Sequence, residues 1–293
     1  MADLLRKNSF KIVGHLVSTD MKTGTRKDNG AGYISGNAIV QSVIGGEKKE
    51  FEISFYATEQ TQDKKVSKLY TSYSTMNDLV GKKVEITGEL RENRYFSNNA
   101  KQLVSAQQLS GRFVRGVSET TDDDATFELG GFVVTELTER KNKEGEIYRY
   151  DLQLGQSNYA GNGMSMFVVS ARPTDIDIIN GLKNMYHAGD TVSVNGQLDW
   201  TVQVVTKEAT ASFGTGAVHS YTNRSRSFWV VGGSEVIVKE EEGKYSSSAV
   251  RDLIAAYKAK DVELANNAKK NDSGDDGDIE EKPAISARQT SLI

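Results

Sequence analysis

Basic and aromatic side chains recur together at matching places along this chain. Lys22, Arg26 and Lys27 fall where a first strand is joined to a second, and Arg91, Arg94, Tyr95, Phe96 and Lys101 where a fourth is joined to a fifth. Tyr33 and Tyr56 sit on the second and third strands between them. Farther on, Arg140, Lys141 and Lys143, followed by Tyr148, Arg149 and Tyr150, repeat the first cluster. Trp200, Lys207, Phe213, Tyr221, Arg224 and Arg226 repeat the second, on a longer connection that reads as a hairpin arm. This mixture suits a single-stranded polynucleotide, because cations follow phosphates while ring faces stack bases for about 1–3 kcal/mol each without reading sequence. A structural reading stands beside it: a β-barrel needs aromatics inside and charges on its loops. Phe10, Phe51, Phe55, Phe127, Phe167 and Trp229 are assigned to cores.

Catalytic chemistry has little to stand on. The three histidines, His15, His187 and His219, lie in different elements, and no zinc-protease, nucleophile-elbow or phosphate-loop motif is present. Asp175 and Asp177 flank a helix start, where the helix dipole favours negative charge. Cysteine is absent, which removes disulfides, thiol nucleophiles and cysteine-held metals together. The expectation is a protein that is not an enzyme, with no cofactor and no metal.

The elements that would position these residues come in two sets. Val80-Gly-Lys-Lys-Val-Glu-Ile-Thr-Gly-Glu-Leu90 and Ala188-Gly-Asp-Thr-Val-Ser-Val-Asn-Gly-Gln-Leu198 are built alike, two glycines bracketing an alternating strand, at an offset of 108 (198 against 90). Phe10, Gly14 and Val17 match Phe127, Gly131 and Val134 at 117. Closing strands match at 127, Leu103-Val104 and Leu109 with Val230-Val231 and Val236, which makes the second hairpin some 19 residues longer. Residues 31–42 and 148–155 read as second strands and 50–57 and 164–170 as third strands. Leu69, Tyr73, Met76 and Val80, and later Ile178, Ile179, Leu182, Met185 and Tyr186, have helical spacing. Strand, strand, strand, helix, strand, strand is the order of the OB-fold, whose second and third strands and two flanking loops take oligonucleotides. A mainly β chain follows, with two tandem OB-fold barrels at 8–115 and 126–239, a linker at 116–125, a C-terminal helix at 246–270 and a disordered acidic tail at 271–293.

Charge is uneven. Lys and Arg outnumber Asp and Glu by 18 to 12 over residues 1–115, whereas acids lead by 16 to 9 over 116–238 and by 12 to 9 over 239–293. The basic first third points to a polyanion partner. Residues 271–281 hold six acids and no base, a composition for competing at a basic groove, for capturing partners or for solubility. No run is apolar enough for a signal peptide or a bilayer span, so a cytoplasmic protein without a membrane is expected.

On these residues the chain resembles the tandem OB-fold single-stranded-DNA-binding proteins, in the divergent form found in bacteriophage replication. The resemblance covers element order over 8–238 and tail character over 271–293. It implies protection of single-stranded DNA during replication or recombination, with the tail recruiting other proteins of that process. Two departures are visible: the chain ends Ser291-Leu-Ile293 instead of in a proline and terminal phenylalanine, and no cysteine zinc motif can exist. An assembly scaffold with barrels that bind protein, or an RNA binder, remains open, as does oligomeric state.

Overall fold

The computed structural model describes residues 5–61, 63–97, 100–208 and 218–272, with side chains described outside 202–208, 218–224 and 269–272. The first unit contains β1 (Asn8–Thr19), β2 (Lys22–Thr25), β3 (Gly32–Ile44), β4 (Glu47–Thr58), α1 (Lys68–Ser74), β5 (Lys83–Ser97) and β6 (Gln102–Gly116). The second contains β7 (Asp124–Lys141), β8 (Ile147–Ser157), β9 (Met164–Ala171), α2 (Ile176–Met185), β10 (Thr191–Glu208) and β11 (Val218–Gly233), followed by α3 (Ser247–Asp272).

Each unit closes as an OB barrel. β1 pairs antiparallel with β3, β3 with β4, and β5 with both β6 and β1, while one parallel pairing of β4 with β6 shuts the ring. In the second unit β7–β8–β9–β11–β10–β7 repeats the circuit, again with its single parallel pairing at β9–β11. Period-two alternation fills both interiors. Ile34, Ala38 and Val40 of β3 and Phe51, Ile53 and Phe55 of β4 are buried, as are Leu152 and Leu154 of β8 and Phe167 and Val169 of β9.

The helix between strands three and four is split in the first barrel. α1 stops at Ser74 and a 3₁₀ turn carries Met76–Leu79. The Ser74 and Thr75 hydroxyls donate back to the carbonyls of Thr71 and Ser72, which competes with the α-helical ladder there. Tyr73 and Met76 are still buried, but Val80 is not. In the second barrel Asp175 is the N-cap of α2, which buries Ile179 and Leu182 and leaves Met185 exposed.

The two barrels share a ladder. Asn8 to Val13 of β1 pair antiparallel with Asp124 to Leu129 of β7, so an 11-stranded sheet runs through both units and one apolar cluster spans both cores. Each barrel also lays its fourth-to-fifth-strand hairpin on the other's third strand. Met166 N–H donates to Glu92 of β5 at 2.8 Å, and Gln107 of β6 donates to the Val168 carbonyl at 3.1 Å. Reciprocally, Trp200 of β10 packs on Phe51 of β4 with ring centres 5.9 Å apart, and Lys49 pairs with Asp199 at 2.7 Å.

Two expectations need correction. Trp229 is not a core residue: alternation in β11 turns Phe228 and Val230 inward, while Trp229 faces out, donates to Asp199 and lies under Arg172. The closing strands correspond at an offset of 119, not 127, because Leu90 pairs with Leu109 and Leu198 with Phe228. The second hairpin is therefore 11 residues longer (119 against 108), not 19. Apolar residues recur too often in strands to fix a register, which here is set by matched bulges at Thr87/Gly88 and Asn195/Gly196.

Candidate nucleic-acid interface

The outer face of β3 and β4 carries a compact aromatic and cationic platform. Tyr33 and Tyr56 point away from the core because Ile34 and Ala57 between them point in. Their rings stack at 5.8 Å with planes 27° apart, and Tyr56 is half exposed. β2 pairs with β3 so that Gly24 lies opposite Tyr33, and a Cβ on Gly24 would stand 2.7 Å from the Tyr33 ring. Glycine here lets the ring lie flat across the neighbouring strand.

The loop between strands one and two brings cations to that platform. Lys22, opposite Ser35, shares the outward face with Tyr33, and Lys22, Arg26 and Lys27 are all exposed. Arg26 pairs with Asp28 at 2.8 Å. Its guanidinium is held further above its ordinary pKa first by the hydrogen bond and charge of Asp28, then by Tyr56. Arg26 thus lies within electrostatic reach of the Tyr56 hydroxyl. A solvated face of this composition can bind an anionic chain and stack its bases.

The hairpin between β5 and β6 does something different from what its composition suggests. Arg94 is largely buried: it stacks on the Tyr257 ring of α3 at 3.4 Å, donates to the Tyr257 carbonyl and pairs with Asp261. The structure uses Arg94 as an anchor for α3 and does not bring it to the Tyr33–Tyr56 face. Tyr257 in turn donates to Glu92, and burial followed by the Glu92 carboxylate pushes its phenol well above the usual tyrosine range. Tyr95 and Phe96 are half-buried opposite Val104 and Leu103, Lys101 is exposed at a positive φ of 52°, and Arg91 is exposed on the opposite side of β5 from Arg94.

In the second barrel most of the described candidates already have a partner on the chain. Arg140 and Arg149 both hold Asp151, at 2.8 and 3.1 Å, and Asp151 is itself buried and accepts from Ser170. Lys141 pairs with Glu139, Tyr150 packs on the core, and Lys143 is exposed on the turn after β7. Tyr148 is exposed with Arg149 5.5 Å from its ring centre. Trp200, expected among the nucleic-acid-binding residues of the hairpin arm, is buried between the barrels beneath Arg226, which also pairs with Glu52 of β4. Lys207 lies on β10 and Tyr221 and Arg224 on β11, paired with Val205 and Val202, without described side chains; Phe213 lies outside the described residues, as does the acidic tail from 273.

Sequence reasoning named Arg91 but missed two residues that share a cleft with it, Arg6 and Tyr159. Arg6, Arg91 and Tyr159 meet at a cleft of about 320 Å³ between the barrels. Tyr159 follows the end of β8, in a loop of small polar residues that carries no aromatic repeat to draw notice. Among the described residues no group of three or more His, Asp or Glu is placed to hold a metal ion, and no helix is long and apolar enough to cross a membrane.

Fold and platform together define a tandem OB-fold protein with an open aromatic and basic face. The chain belongs to the YorF family, whose model matches residues 7–271. Among solved structures it is similar to the wild-type single-stranded DNA binding protein from Thermus aquaticus, at 14% identity and a TM-score of 0.48 over 80% of this chain and 96% of that one. A deletion mutant of the same Thermus aquaticus protein matches with 14% identity and a TM-score of 0.47, covering 80% and 97% of the two chains. A Replication Protein A heterotrimer bound to ssDNA matches at 10% identity and a TM-score of 0.23, covering 87% and 53%. No curated protein sequence matches.

Proposed function

We propose that this protein binds single-stranded DNA with little sequence preference and protects it during replication or recombination, without catalysing a reaction. The observation that carries the reading is the exposed Tyr33–Tyr56 stack on strands two and three, flanked by Lys22, Arg26 and Lys27. This is the face and loop with which an OB barrel takes an oligonucleotide, and two rings in a row suit consecutive bases. The second barrel contributes through Lys143 and Tyr148, and the long β10–β11 hairpin extends the surface. In the same reading the acidic run from Asn271 recruits replication or recombination proteins, and the setting is a phage-type replication module.

Fluorescence anisotropy with a labelled oligonucleotide tests the reading. Single strands should bind in preference to duplex, and replacing Tyr33 and Tyr56 with alanine should weaken binding by about tenfold or more. Equal affinity for duplex, or none for single strands, overturns it. A preference for ribose over deoxyribose would reassign the target to RNA.

A further inference from the structure

The two seams between the barrels have diverged in residue type. The offset of 108 that relates β5 to β10 places Asp199 where the first unit has Arg91, and Trp200 where it has Glu92. At the Asp199 seam Lys49 pairs with the carboxylate at 2.7 Å, Trp229 donates to it at 3.1 Å, and Trp200 packs on Phe51. At the Arg91 seam Glu92, in the place of Trp200, accepts from Met166 N–H instead, and a cleft is lined by Arg6, Arg91, Asn158, Tyr159, Ser165 and Phe167.

The groups in this cleft are held in place without being used. Leu5 N–H donates to the Gly243 carbonyl at 2.8 Å and the Leu5 carbonyl accepts from the Tyr245 hydroxyl at 3.0 Å. The Lys7 carbonyl accepts from Gln156 and from Gly130 N–H. Arg6 is thereby fixed from both sides, yet its Nε is buried with no hydrogen-bond partner, and neither Arg6 nor Arg91 forms an ion pair among the described residues. The two carboxylates at the rim are already committed: Glu89 to Arg112 at 3.2 Å, and Glu92 to Tyr257, Ser105 and Met166 N–H. Two arginines thus line the cleft with no ion-paired carboxylate among the described residues. A buried unsatisfied donor on a cation is costly unless a ligand completes it.

Beside them stands a ring with the opposite character. Tyr159 is 84% exposed, on a turn braced by Asn158 N–H to the Gly163 carbonyl at 2.8 Å and by the Asn158 and Asn162 side chains at 3.0 Å. Arg6 lies 5.4 Å from the ring centre, which leaves most of the ring in solvent. An exposed aromatic held by a closed turn has no packing role to explain it.

We infer that the seam cleft binds one nucleotide unit, its phosphate between Arg6 and Arg91 and its base against Tyr159. A guanidinium matches the oxygens of a phosphate bidentately, and the cleft is at the lower end of the range for small-molecule sites, about 300–1,000 Å³. The inference rests on the proposed polynucleotide binding but places a subsite away from the Tyr33–Tyr56 face, at a joint that exists only because the two barrels pair.

The test is an oligonucleotide titration of the full chain and of Arg91→Gln, Tyr159→Ala and Arg6→Gln, beside the Tyr33/Tyr56 double variant. Arg91 and Tyr159 are exposed, so their variants should fold. Tyr159→Ala should weaken single-strand binding by about tenfold, and Arg91→Gln should lower the slope of log affinity against log salt by about 0.7. A mononucleotide titration followed by the arginine Nε resonances should shift Arg6 in the wild type and not in Tyr159→Ala. If the Tyr33/Tyr56 variant loses binding while the three seam variants match the wild type, the seam inference is wrong and the proposed function stands. If no single strand binds at all, the proposed function fails, and an unmoved Arg6 resonance with mononucleotide then overturns the seam site as well. A shift with mononucleotide alone would make the cleft a site for free nucleotide.

Discussion

Phe10 and Phe127, which the internal repeat equates, lie directly opposite one another in the β1–β7 ladder. Each ring in turn covers a glycine at equivalent positions, Gly88 and Gly196, where an added Cβ would stand 2.7 and 2.8 Å from it. The pairing is therefore that of two copies related by a two-fold axis through the ladder, as in a symmetric dimer whose halves share one chain.

That relationship makes the two glycines equivalent in energy as well as in place. A Cβ would also meet the Ser110 carbonyl oxygen beside Gly88 and the Trp229 carbonyl oxygen beside Gly196, both backbone atoms that cannot swing away. Gly88→Ala and Gly196→Ala should each destabilise the fold by about 1–3 kcal/mol. Chemical denaturation checks this, and an effect at one site only would show that the units do not share the joint.

Acid should loosen the contact between the barrels. Burial pushes the Asp199 carboxyl up, but the hydrogen bonds from Lys49 and Trp229 outweigh it and hold the group below its ordinary value. Asp123, just before β7, follows the same pattern: burial raises it, and Lys83 of β5 with Val43 N–H lowers it further. Groups depressed in the folded state stabilise it fully above their unfolded pKa of roughly 4, and that contribution is lost as pH falls through the folded values. Thermal stability should therefore be level through neutral pH and fall below about pH 4. Asp199→Asn and Asp123→Asn should start lower and show a shallower acid limb.

Arg94 should act on α3 and not on DNA. Replacing it with alanine removes the ring stack on Tyr257 and the pair with Asp261 together. Amide hydrogen exchange over residues 254–262 should speed up by about tenfold or more while the strands keep their protection. Unchanged exchange in the helix would show that Leu253 and Val250 hold it without this anchor.

Lys22 and Lys27 should contribute charge without geometry. Their joint replacement by alanine should weaken single-strand binding and reduce the salt slope by about 0.7 per lost phosphate contact, leaving the fold intact. A titration at several salt concentrations reads both quantities.

Much of the fold was legible because it depends on local signals. Alternation marked the strands, bracketing glycines marked the fourth strand of each barrel, and Pro173-Thr174 marked the entry to α2. The site was legible only in part. Lys22, Arg26, Tyr33 and Tyr56 do come together, since loop one and strands two and three are neighbours by the fold's own topology. Arg94, Arg149 and Trp200 are of the same residue types but turn inward, to α3, to Asp151 and to Phe51, and Arg140, though exposed, is tied to the buried Asp151. Side-chain type cannot distinguish a cation on an open face from one that holds a buried group.

What the sequence determined by itself is the element order and its repetition, because alternation and turn chemistry act over a few residues. Only the tertiary structure decided that the first strands of the two barrels pair, that each hairpin rests on the other barrel, and that Arg6, Arg91 and Tyr159 meet. Those outcomes depend on contacts between residues more than 60 positions apart, and such contacts are selected by the packing of whole sheets.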